Sequence, residues 1–401
     1  RRVQCDSKDR AVNQEGGYGV SRWKRLLGWG WEGRVAREPD PQAKGYRLGG
    51  LYQIRLMDGV PPQAAVNETV EAAKTDLDAA RTRFINGVLR NALRKVDPIR
   101  DSISKQPLGI RTSHPDLLTR RWEGEFGKEA TAALCDWNNE RPSVVLRVNA
   151  LRTSLQDYTA RLVEAGIDAH PHPASPENFL ILPAGVRVRD LPGYTDGQFA
   201  IQDPATLLAV NLLDLRPGLH VLDACAAPGG KTFACAEQIR NEGLVLAVDR
   251  HADRLDQLRA NATRMGFKCV SITQADATTK AGLSNIASQR GRFDRILLDV
   301  PCSNTGVLRR RPDARWRFTE KRLQKLVGVQ SRMLNACSKL LKPDGALVYS
   351  TCSLEPEENS GQIERWISQN PSFRIDAESV SIPPDSGMDG AYAARLVKAR
   401  K

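Results

Sequence analysis

The fold of this chain is decided by the stretch Asp223-Ala224-Cys225-Ala226-Ala227-Pro228-Gly229-Gly230-Lys231-Thr232. It follows the apolar pair Val221-Leu222 and opens a helical pattern over residues 232–240. Glycines between a strand and a helix let the backbone approach a ligand at the N-terminus of that helix. The stretch therefore predicts a nucleoside-binding turn at the end of a sheet strand.

The residues after this turn repeat the same alternation of short apolar runs and helical patterns. Such alternation predicts a parallel, doubly wound α/β sheet of the Rossmann-like class. The predicted strands cover residues 221–223, 244–249, 270–273, 295–300 and 346–350, and the predicted helices cover residues 232–240, 252–265 and 321–341. We assign residues 203–401 to this α/β domain.

The residues before the sheet divide into two further parts. Residues 50–94 carry apolar side chains at helical spacing, and we assign residues 1–100 to an all-α domain. A polar stretch with Pro98 and Pro107 follows, which is typical of a linker or domain edge. Short strand-like runs then alternate with a helical pattern, so we assign residues 101–202 to a linker and a small α+β module.

Composition limits the class of protein. The chain has 401 residues, of which 41% are hydrophobic and 26% charged, and no apolar run approaches the roughly 18 residues of a membrane span. It opens Arg1-Arg2 without an initiator Met or a secretory leader, so we expect a truncated start and a cytoplasmic protein. The net charge of +12 favours a polyanionic partner. The eight cysteines lack paired spacing, which predicts free thiols and no metal site.

Carboxylates at the ends of the next strands extend the cofactor site. Asp249 is placed to accept hydrogen bonds from ribose hydroxyls, and Asp276 from an adenine amine. The alternative is a tight turn with aspartates that only cap helices. The spacing of an ATP-binding phosphate loop is absent. The predicted cofactor-binding residues are Cys225, Ala226, Ala227, Pro228, Gly229, Gly230, Lys231, Asp249, Asp276 and Asp299.

Two cysteines follow neighbouring strands. Asp299 and Cys302 come after the strand at 295–300, and Cys352 after the strand at 346–350, so both thiols should face one cleft. One reaction that uses such a thiol is the methylation of cytosine at C5. This carbon takes a methyl group only after a nucleophile adds at C6, and a thiolate suits that step. Lys231 is the nearest cation in these motifs that would favour a thiolate. Two ordinary buried cysteines are the alternative. Asp299 either binds the N3 and N4 edge of the base or lines the cofactor pocket.

These motifs resemble those of a known family. Residues 223–232, 299–306 and 349–359 are similar to the cofactor and catalytic motifs of RNA cytosine-5 methyltransferases. The resemblance implies a class I methyltransferase domain, S-adenosyl-L-methionine as donor, Cys352 as nucleophile, and Cys302 in proton removal and release. DNA cytosine-5 methyltransferases attack with the cysteine of a Pro-Cys motif, which corresponds to Pro301-Cys302 here, and lack a counterpart of Cys352. The presence of both cysteines therefore favours RNA as the substrate.

The N-terminal part narrows the resemblance. Residues 7–11, 18–20 and 64–90 resemble a NusB-type helical RNA-binding domain that lacks its first helix, and residues 114–115 and 146–149 resemble the accompanying middle module. This is the arrangement of bacterial small-subunit ribosomal RNA cytosine-5 methyltransferases of the RsmB/Sun/Fmu type. It implies 16S rRNA or an assembling small ribosomal subunit as partner, and we expect a monomer. The alternatives are a transfer-RNA or large-subunit rRNA cytosine-5 methyltransferase, or a non-catalytic RNA-binding assembly factor.

Two segments near the thiols carry further predictions. A basic and aromatic segment follows the Pro-Cys motif, where guanidinium groups beside rings suit phosphate contact and base stacking; a solvated loop is the alternative. The predicted RNA-binding residues are Arg309, Arg310, Arg311, Arg315 and Trp316. The acidic residues after Cys352, Glu358 among them, are typical of a helix start, for which a structural role suffices.

Overall fold

The computed structural model describes residues 7–29, 40–57, 59–94 and 102–399, and their contacts divide into two units. Unit 1 comprises Arg1–Glu140 and Leu308–Arg317, and unit 2 comprises Arg141–Val307 and Phe318–Lys401. The predicted boundary near residue 100 lies outside the described residues. The division into three domains at residues 100 and 202 therefore stays a prediction.

Unit 1 is helical where the sequence is described. Its core contains Leu27, Leu51, Ile85 and Leu89, which are fully or almost fully buried, so the helical spacing predicted for residues 50–94 is confirmed. Asp40 caps the second helix by accepting hydrogen bonds from the two backbone amides that follow Pro41. The helices are α1 (Ser7–Trp29), α2 (Pro41–Leu56), α3 (Pro62–Asp76), α4 (Ala79–Arg94), α5 (Leu108–Arg111), α6 (Asp116–Phe126), α7 (Lys128–Asn139) and, from the second segment, α13 (Ala314–Arg317).

Unit 2 begins with a small antiparallel sheet whose strand order is β2-β3-β1-β4. Its strands and its helix are β1 (Val145–Val148), α8 (Leu155–Glu164), β2 (His170–Pro171), β3 (Phe179–Ile181) and β4 (Phe199–Ile201). The Ser154 hydroxyl caps α8 by accepting from the Asp157 amide. Tyr158 and Leu162 of this helix pack with Leu146 and Leu180 of the sheet in one buried cluster.

The larger sheet of unit 2 has seven strands in the order β10-β11-β9-β8-β5-β6-β7. The strands are β5 (His220–Asp223), β6 (Leu244–Asp249), β7 (Val270–Gln274), β8 (Phe293–Asp299), β9 (Leu341–Thr351), β10 (Phe373–Ser381) and β11 (Ala391–Lys398). Strands β9, β8, β5, β6 and β7 pair in parallel, as predicted. Because β5 pairs with both β6 and β8, the strand order reverses beside β5, which is where ligands bind in such sheets.

Helices cover both faces of this sheet. They are α9 (Leu207–Asn211), α10 (Gly230–Gln238), α11 (Ala252–Met265), α12 (Lys280–Arg290), α14 (Glu320–Cys337) and α15 (Ser360–Gln369). Alternate strand residues enter different cores: Leu222 packs in the cluster with α12, α14 and α15, and Val221 in the cluster with α9, α10 and α11. The doubly wound α/β prediction is confirmed.

The C-terminal hairpin was not predicted from the sequence. Strand β11 pairs antiparallel with β9, and β10 pairs antiparallel with β11 at the sheet edge. Along β10 partly buried and exposed residues alternate, so the strand lacks the continuous apolar run of a central strand. Among the described helices, none has the length and apolar character needed to cross a membrane.

Candidate active site

The glycine turn opens helix α10. Gly229 has a φ of +111°, and a Cβ there would lie 2.6 Å from the Phe233 ring, so only glycine fits. At Gly230 a Cβ would meet nothing closer than Gln202, at 3.4 Å, which leaves space in front of the helix. The first backbone amides of a helix have no partner within it and suit a polar or anionic ligand group.

The turn is attached to strand β6 by hydrogen bonds. The Ala226 amide donates to the Val248 carbonyl at 2.9 Å, and the Ala227 amide donates to Asp249 Oδ2 at 3.3 Å. Asp249 is the last residue of β6, so its carboxylate lies beside the turn as the sequence predicts. Acceptor oxygens beside a glycine turn suit the ribose hydroxyls of a nucleoside.

Asp276 follows the end of β7, next to β6 in the sheet. Its Oδ1 accepts hydrogen bonds from the Thr278 hydroxyl at 2.6 Å and the Thr278 amide at 2.8 Å. The Thr278 side-chain hydrogen bond lowers the pKa of this carboxyl group, so it is ionised at neutral pH. Its location at the same sheet edge as Asp249 fits a nucleoside ligand.

Asp223, the first residue of the glycine-turn motif, is not among the residues predicted to bind the cofactor. It ends β5, is almost fully buried, and accepts a hydrogen bond from the Thr232 hydroxyl at 2.7 Å and a longer one from the Cys225 amide at 3.4 Å. Burial raises its pKa to about 7. The sequence does show a carboxylate at the end of a predicted strand, nine residues before Thr232 at the start of the predicted helix, and this spacing could have indicated their contact. Through these two hydrogen bonds Asp223 stabilises the glycine turn.

The two predicted thiols meet. Cys302 Sγ and Cys352 Sγ lie 3.3 Å apart, although the residues are fifty positions apart in the chain. Cys302 is buried, whereas Cys352 is partly exposed and donates a hydrogen bond to Asn304 Oδ1 at 3.2 Å. The seven described cysteines are free thiols, and the described residues hold no group of three or more His, Cys, Asp or Glu side chains arranged for a metal ion.

Only one of the two thiols lines the neighbouring cavity. This cavity opens to solvent and is bounded by residues of unit 2. Cys352 and Lys231 contribute to its wall, together with Thr206, Gly390 and Tyr392, and Cys302 does not. A small planar molecule in this cavity would therefore meet Cys352.

Lys231 and Asp299 form an ion pair beside the thiols. Lys231 Nζ donates to Asp299 Oδ2 at 2.8 Å, and the Ser350 hydroxyl donates to Asp299 Oδ1 at 2.7 Å. Burial alone would lower the pKa of Lys231, but the Asp299 charge and hydrogen bond outweigh it and raise this pKa above its usual value. The interaction with Cys352 raises it further, so Lys231 is a cation near that thiol.

The environment of Cys302 favours its protonated form. The hydrogen bond with Cys352, burial, and the charges of Cys352 and Glu358 raise the pKa of Cys302 well above its usual value. Cys302 is thus a proton-bearing thiol beside a more exposed one. The two cysteines are chemically unequal even though both follow a strand end.

The loops that carry the thiols are packed against each other. The Gly306 amide donates to the Cys352 carbonyl at 3.0 Å, and the Gly390 amide donates to the Gly306 carbonyl at 2.8 Å. A Cβ on Gly306 would lie 2.7 Å from the Gly390 oxygen. Glycine at this position therefore permits close contact between the Cys302 loop and the loop before β11.

Arg315 does not have the position predicted for it. It is fully buried in unit 1, and its guanidinium donates to the carbonyls of Arg22, Ser113 and Asn138 at 3.2 Å and to Asn139 Oδ1 at 3.0 Å. A guanidinium without exposed surface does not reach a phosphate. The prediction of RNA contact is wrong for Arg315, which instead stabilises unit 1.

The other residues of the basic segment differ in exposure. The Arg309 guanidinium lies 3.9 Å from the centre of the Trp137 ring, and Trp316 Nε1 donates to the Ser21 carbonyl at 2.6 Å, both within unit 1. Arg310 is partly exposed and Arg311 is exposed. RNA contact stays a prediction for these four residues, and Arg311 has the accessibility that such a contact requires.

Three family models match the chain. Residues 210–397 match the 16S rRNA methyltransferase RsmB/F model, and residues 114–189 match the ferredoxin-like domain of RsmF/B-like methyltransferases. Residues 1–94 match the NusB family. The matches follow one another along the chain in the order expected from the motifs.

Curated relatives match over nearly the whole length. The probable ribosomal RNA small subunit methyltransferase B of Synechocystis is 33% identical over 98% of this chain and 92% of its own. Ribosomal RNA small subunit methyltransferase B of Cronobacter sakazakii is 36% identical over the same shares. Identity at this level and coverage is that of members of one family.

Solved structures share the fold. The crystal structure of PH0851 has a TM-score of 0.84 at 22% identity and covers 99% of this chain and 92% of its own. A methyltransferase homolog protein from Pyrococcus horikoshii has a TM-score of 0.62 at 28% identity, over 73% of this chain and 98% of its own. Because PH0851 is only 22% identical to this chain, its similarity shows a shared fold alone.

Proposed function

The chain belongs to the 16S rRNA methyltransferase RsmB/F family, and from this premise we propose that it methylates carbon 5 of a cytosine in 16S rRNA. The observation that carries the cytosine assignment is the pair of thiols 3.3 Å apart, of which Cys352 lines the cavity and Cys302 does not. A thiol that adds to C6 and a second one beside it meet the chemical needs of methylation at C5.

S-adenosylmethionine is the proposed methyl donor. The glycine turn with Lys231 and the carboxylates of Asp249 and Asp276 would hold it, since they combine helix amides with acceptors for ribose and adenine. When bound, the donor supplies an electrophilic methyl group. The remaining turn residues proposed to bind it are Cys225, Ala226, Ala227, Pro228, Gly229 and Gly230.

Cys352 is the proposed nucleophile. Its thiolate forms a bond to C6 of the cytosine, and the electron pair of the C5–C6 double bond moves so that C5 becomes nucleophilic. The cation of Lys231 beside Cys352 favours the thiolate. The partial exposure of Cys352 on the cavity supports the assignment, because the attacking atom must reach the base.

Asp299 is proposed to fix Lys231 in this arrangement. Both carboxylate oxygens accept hydrogen bonds, one from Lys231 and one from Ser350, so the side chain has a defined orientation at the end of β8. Two roles were predicted for Asp299, binding of the cytosine base and lining of the cofactor pocket. This geometry supports the first, because Lys231 and Cys352 both line the cavity.

Release is proposed to involve Cys302. After methylation C5 carries both the methyl group and a proton. A base removes the proton, its electron pair restores the C5–C6 double bond, and the bond from C6 to Cys352 Sγ breaks. Once Cys352 is bonded to C6, its charge and hydrogen bond no longer raise the pKa of Cys302. The Cys302 thiol then ionises more readily, and its thiolate can accept the C5 proton directly or pass it on.

The substrate is proposed to be 16S rRNA, alone or in an assembling small subunit. The match to the NusB family over residues 1–94, the names of the relatives and the net charge of +12 support an RNA of the small subunit. We propose that residues 1–100 and 101–202 bind this RNA while residues 203–401 perform catalysis. The names of the relatives favour 16S rRNA over transfer RNA or large-subunit rRNA.

Bisulfite sequencing of total RNA tests this proposal. Cells that lack the gene should lose one methylated cytosine in 16S rRNA, and the wild-type gene should restore it while a Cys352→Ala gene should not. Loss of a mark in transfer RNA or large-subunit rRNA instead would contradict the substrate. An unchanged set of methylated cytosines would contradict the activity and favour a non-catalytic assembly role.

A further inference from the structure

We propose that Glu358 is a positioning residue for the release step, because its buried carboxylate fixes the backbone on one side of Cys302 and orients a glutamine that holds the other side. The inference rests on the proposed function, and in particular on the part of Cys302 in release. Sequence reasoning treats Glu358 only as a helix-start residue.

Glu358 binds the residue directly after Cys302. It is fully buried and ends a short turn before α15. Its Oε1 and Oε2 accept a bifurcated hydrogen bond from the Ser303 amide at 3.0 and 3.1 Å, and Oε2 also accepts from the Ser303 hydroxyl. The orientation of the peptide between Cys302 and Ser303 is therefore set by this carboxylate.

A glutamine on α14 completes the clamp. Gln330 is fully buried, and its Nε2 donates to Glu358 Oε1 at 2.9 Å and to the Pro301 carbonyl at 3.1 Å. Pro301 and Ser303 flank Cys302 on either side. Glu358 and Gln330 together thus hold the backbone before and after the thiol.

The same cluster reaches the strand and loop that carry the nucleophile. The Tyr349 hydroxyl, on β9, donates to the Glu358 carbonyl at 2.6 Å. The hydroxyls of Ser303 and Ser353, each one residue after a cysteine, lie 2.9 Å apart. The cluster therefore ties the position of Cys302 to that of Cys352.

A carboxylate is a costly choice for a purely structural clamp. Burial of an ionised group without an opposite charge is unfavourable. Within the described residues Glu358 has no ion pair, and its side chain is held only by an amide, a hydroxyl and a glutamine. Hydrogen bonds to a charged acceptor are shorter and stronger than neutral ones, which suits a loop that must hold its position.

The charge of Glu358 also acts on the thiol. Together with the larger effects of Cys352 and of burial, it contributes to the raised pKa of Cys302. Glu358→Gln preserves the shape but removes the charge, and its amide nitrogen cannot accept from Ser303 or Gln330. This change should loosen Cys302, whereas the Glu358 carbonyl that accepts from Tyr349 on the strand before Cys352 is unchanged.

The test measures covalent RNA–protein adduct on denaturing gels, with full-length protein, unmethylated 16S rRNA and S-adenosylmethionine. Cys302→Ala is the reference, and Glu364→Gln, an exposed glutamate on α15, is the matched control for loss of charge. Glu358→Gln should raise the RNase-sensitive adduct about 10-fold over wild type, with a similar fall in multiple turnover and little change in the single-turnover methylation rate.

Each outcome decides a different point. Wild-type adduct and turnover in Glu358→Gln, with a trapped adduct in Cys302→Ala, would overturn this inference and leave the proposed function standing. Absence of adduct in Cys302→Ala would overturn the proposed release step itself. If Glu358→Gln does not fold, Gln330→Met decides: it removes the donor to Glu358 and to the Pro301 carbonyl, so more adduct supports the clamp on Cys302 and unchanged adduct overturns it.

Discussion

Cys302 Sγ and Cys352 Sγ lie 3.3 Å apart at the carboxyl ends of two paired parallel strands, β8 and β9. Their surroundings differ: Cys302 is buried beside Glu358, and Cys352 faces a cavity that Lys231 also lines. The two thiols are therefore neighbours with different surroundings, which supports the separate roles proposed for them.

The two cysteine variants should fail at different steps. Cys352→Ala should abolish methyl transfer because no thiolate remains on the cavity wall to add to C6. Cys302→Ala should accumulate a covalent RNA adduct because release is slowed. Incorporation of a labelled methyl group and denaturing gels measure the two effects, and calorimetric binding of S-adenosylmethionine checks that the cofactor site is intact. An adduct that accumulates in Cys352→Ala instead would exchange the two assignments.

Replacement of Lys231 should slow methylation. Lys231→Met removes the cation near Cys352, so the negative charge of the attacking thiolate is no longer stabilised. The single-turnover rate should fall on the order of 10-fold or more at saturating S-adenosylmethionine. Lys325→Met, on the exposed side of α14, should leave the rate unchanged. A wild-type rate in Lys231→Met would rule out the electrostatic role.

Asp223 should make folding stability depend on pH. Burial raises its pKa to about 7 in the folded protein, above the value of 3.8 for an exposed aspartate. The folded state therefore binds the proton more tightly, and this contribution to stability is complete below about pH 4 and is lost as the pH rises to about 7. Urea unfolding of wild type and Asp223→Asn between these limits should show a difference that changes by a few kcal/mol at most, about 1.4 per pKa unit. A constant difference would contradict the raised pKa.

The basic segment should divide into an RNA-contact residue and a structural one. Arg311→Ala should weaken RNA binding, because an exposed cation is lost. The slope of the logarithm of the RNA association constant against the logarithm of the salt concentration should decrease by about one. Arg315→Met should instead lower the free energy of unfolding on the order of 2 kcal/mol, because buried carbonyls lose their donor. Filter binding across salt concentrations and thermal melting separate the two effects. A reduced salt slope in folded Arg315→Met would restore the original prediction for it.

The sequence by itself determined the glycine turn, the strand ends and the two thiols at one edge of the sheet. Each of these follows from local spacing: an apolar run bounded by Gly or Pro defines a strand end, and parallel strands bring their carboxyl ends to one edge. The edge strand β10 was not predicted, because exposed and partly buried residues alternate along it and it lacks a continuous apolar run.

Only the tertiary structure decided which thiol faces the cavity, which carboxylate is buried and which arginine is inaccessible. Glu358 is fifty-five residues from Ser303 in the chain, and Arg315 is 293 residues from Arg22. Burial and pKa depend on such contacts between distant segments, and residue spacing carries no information about them. The sequence therefore located the two thiols at one sheet edge, whereas packing distinguished the partly exposed Cys352, the proposed nucleophile, from the buried Cys302.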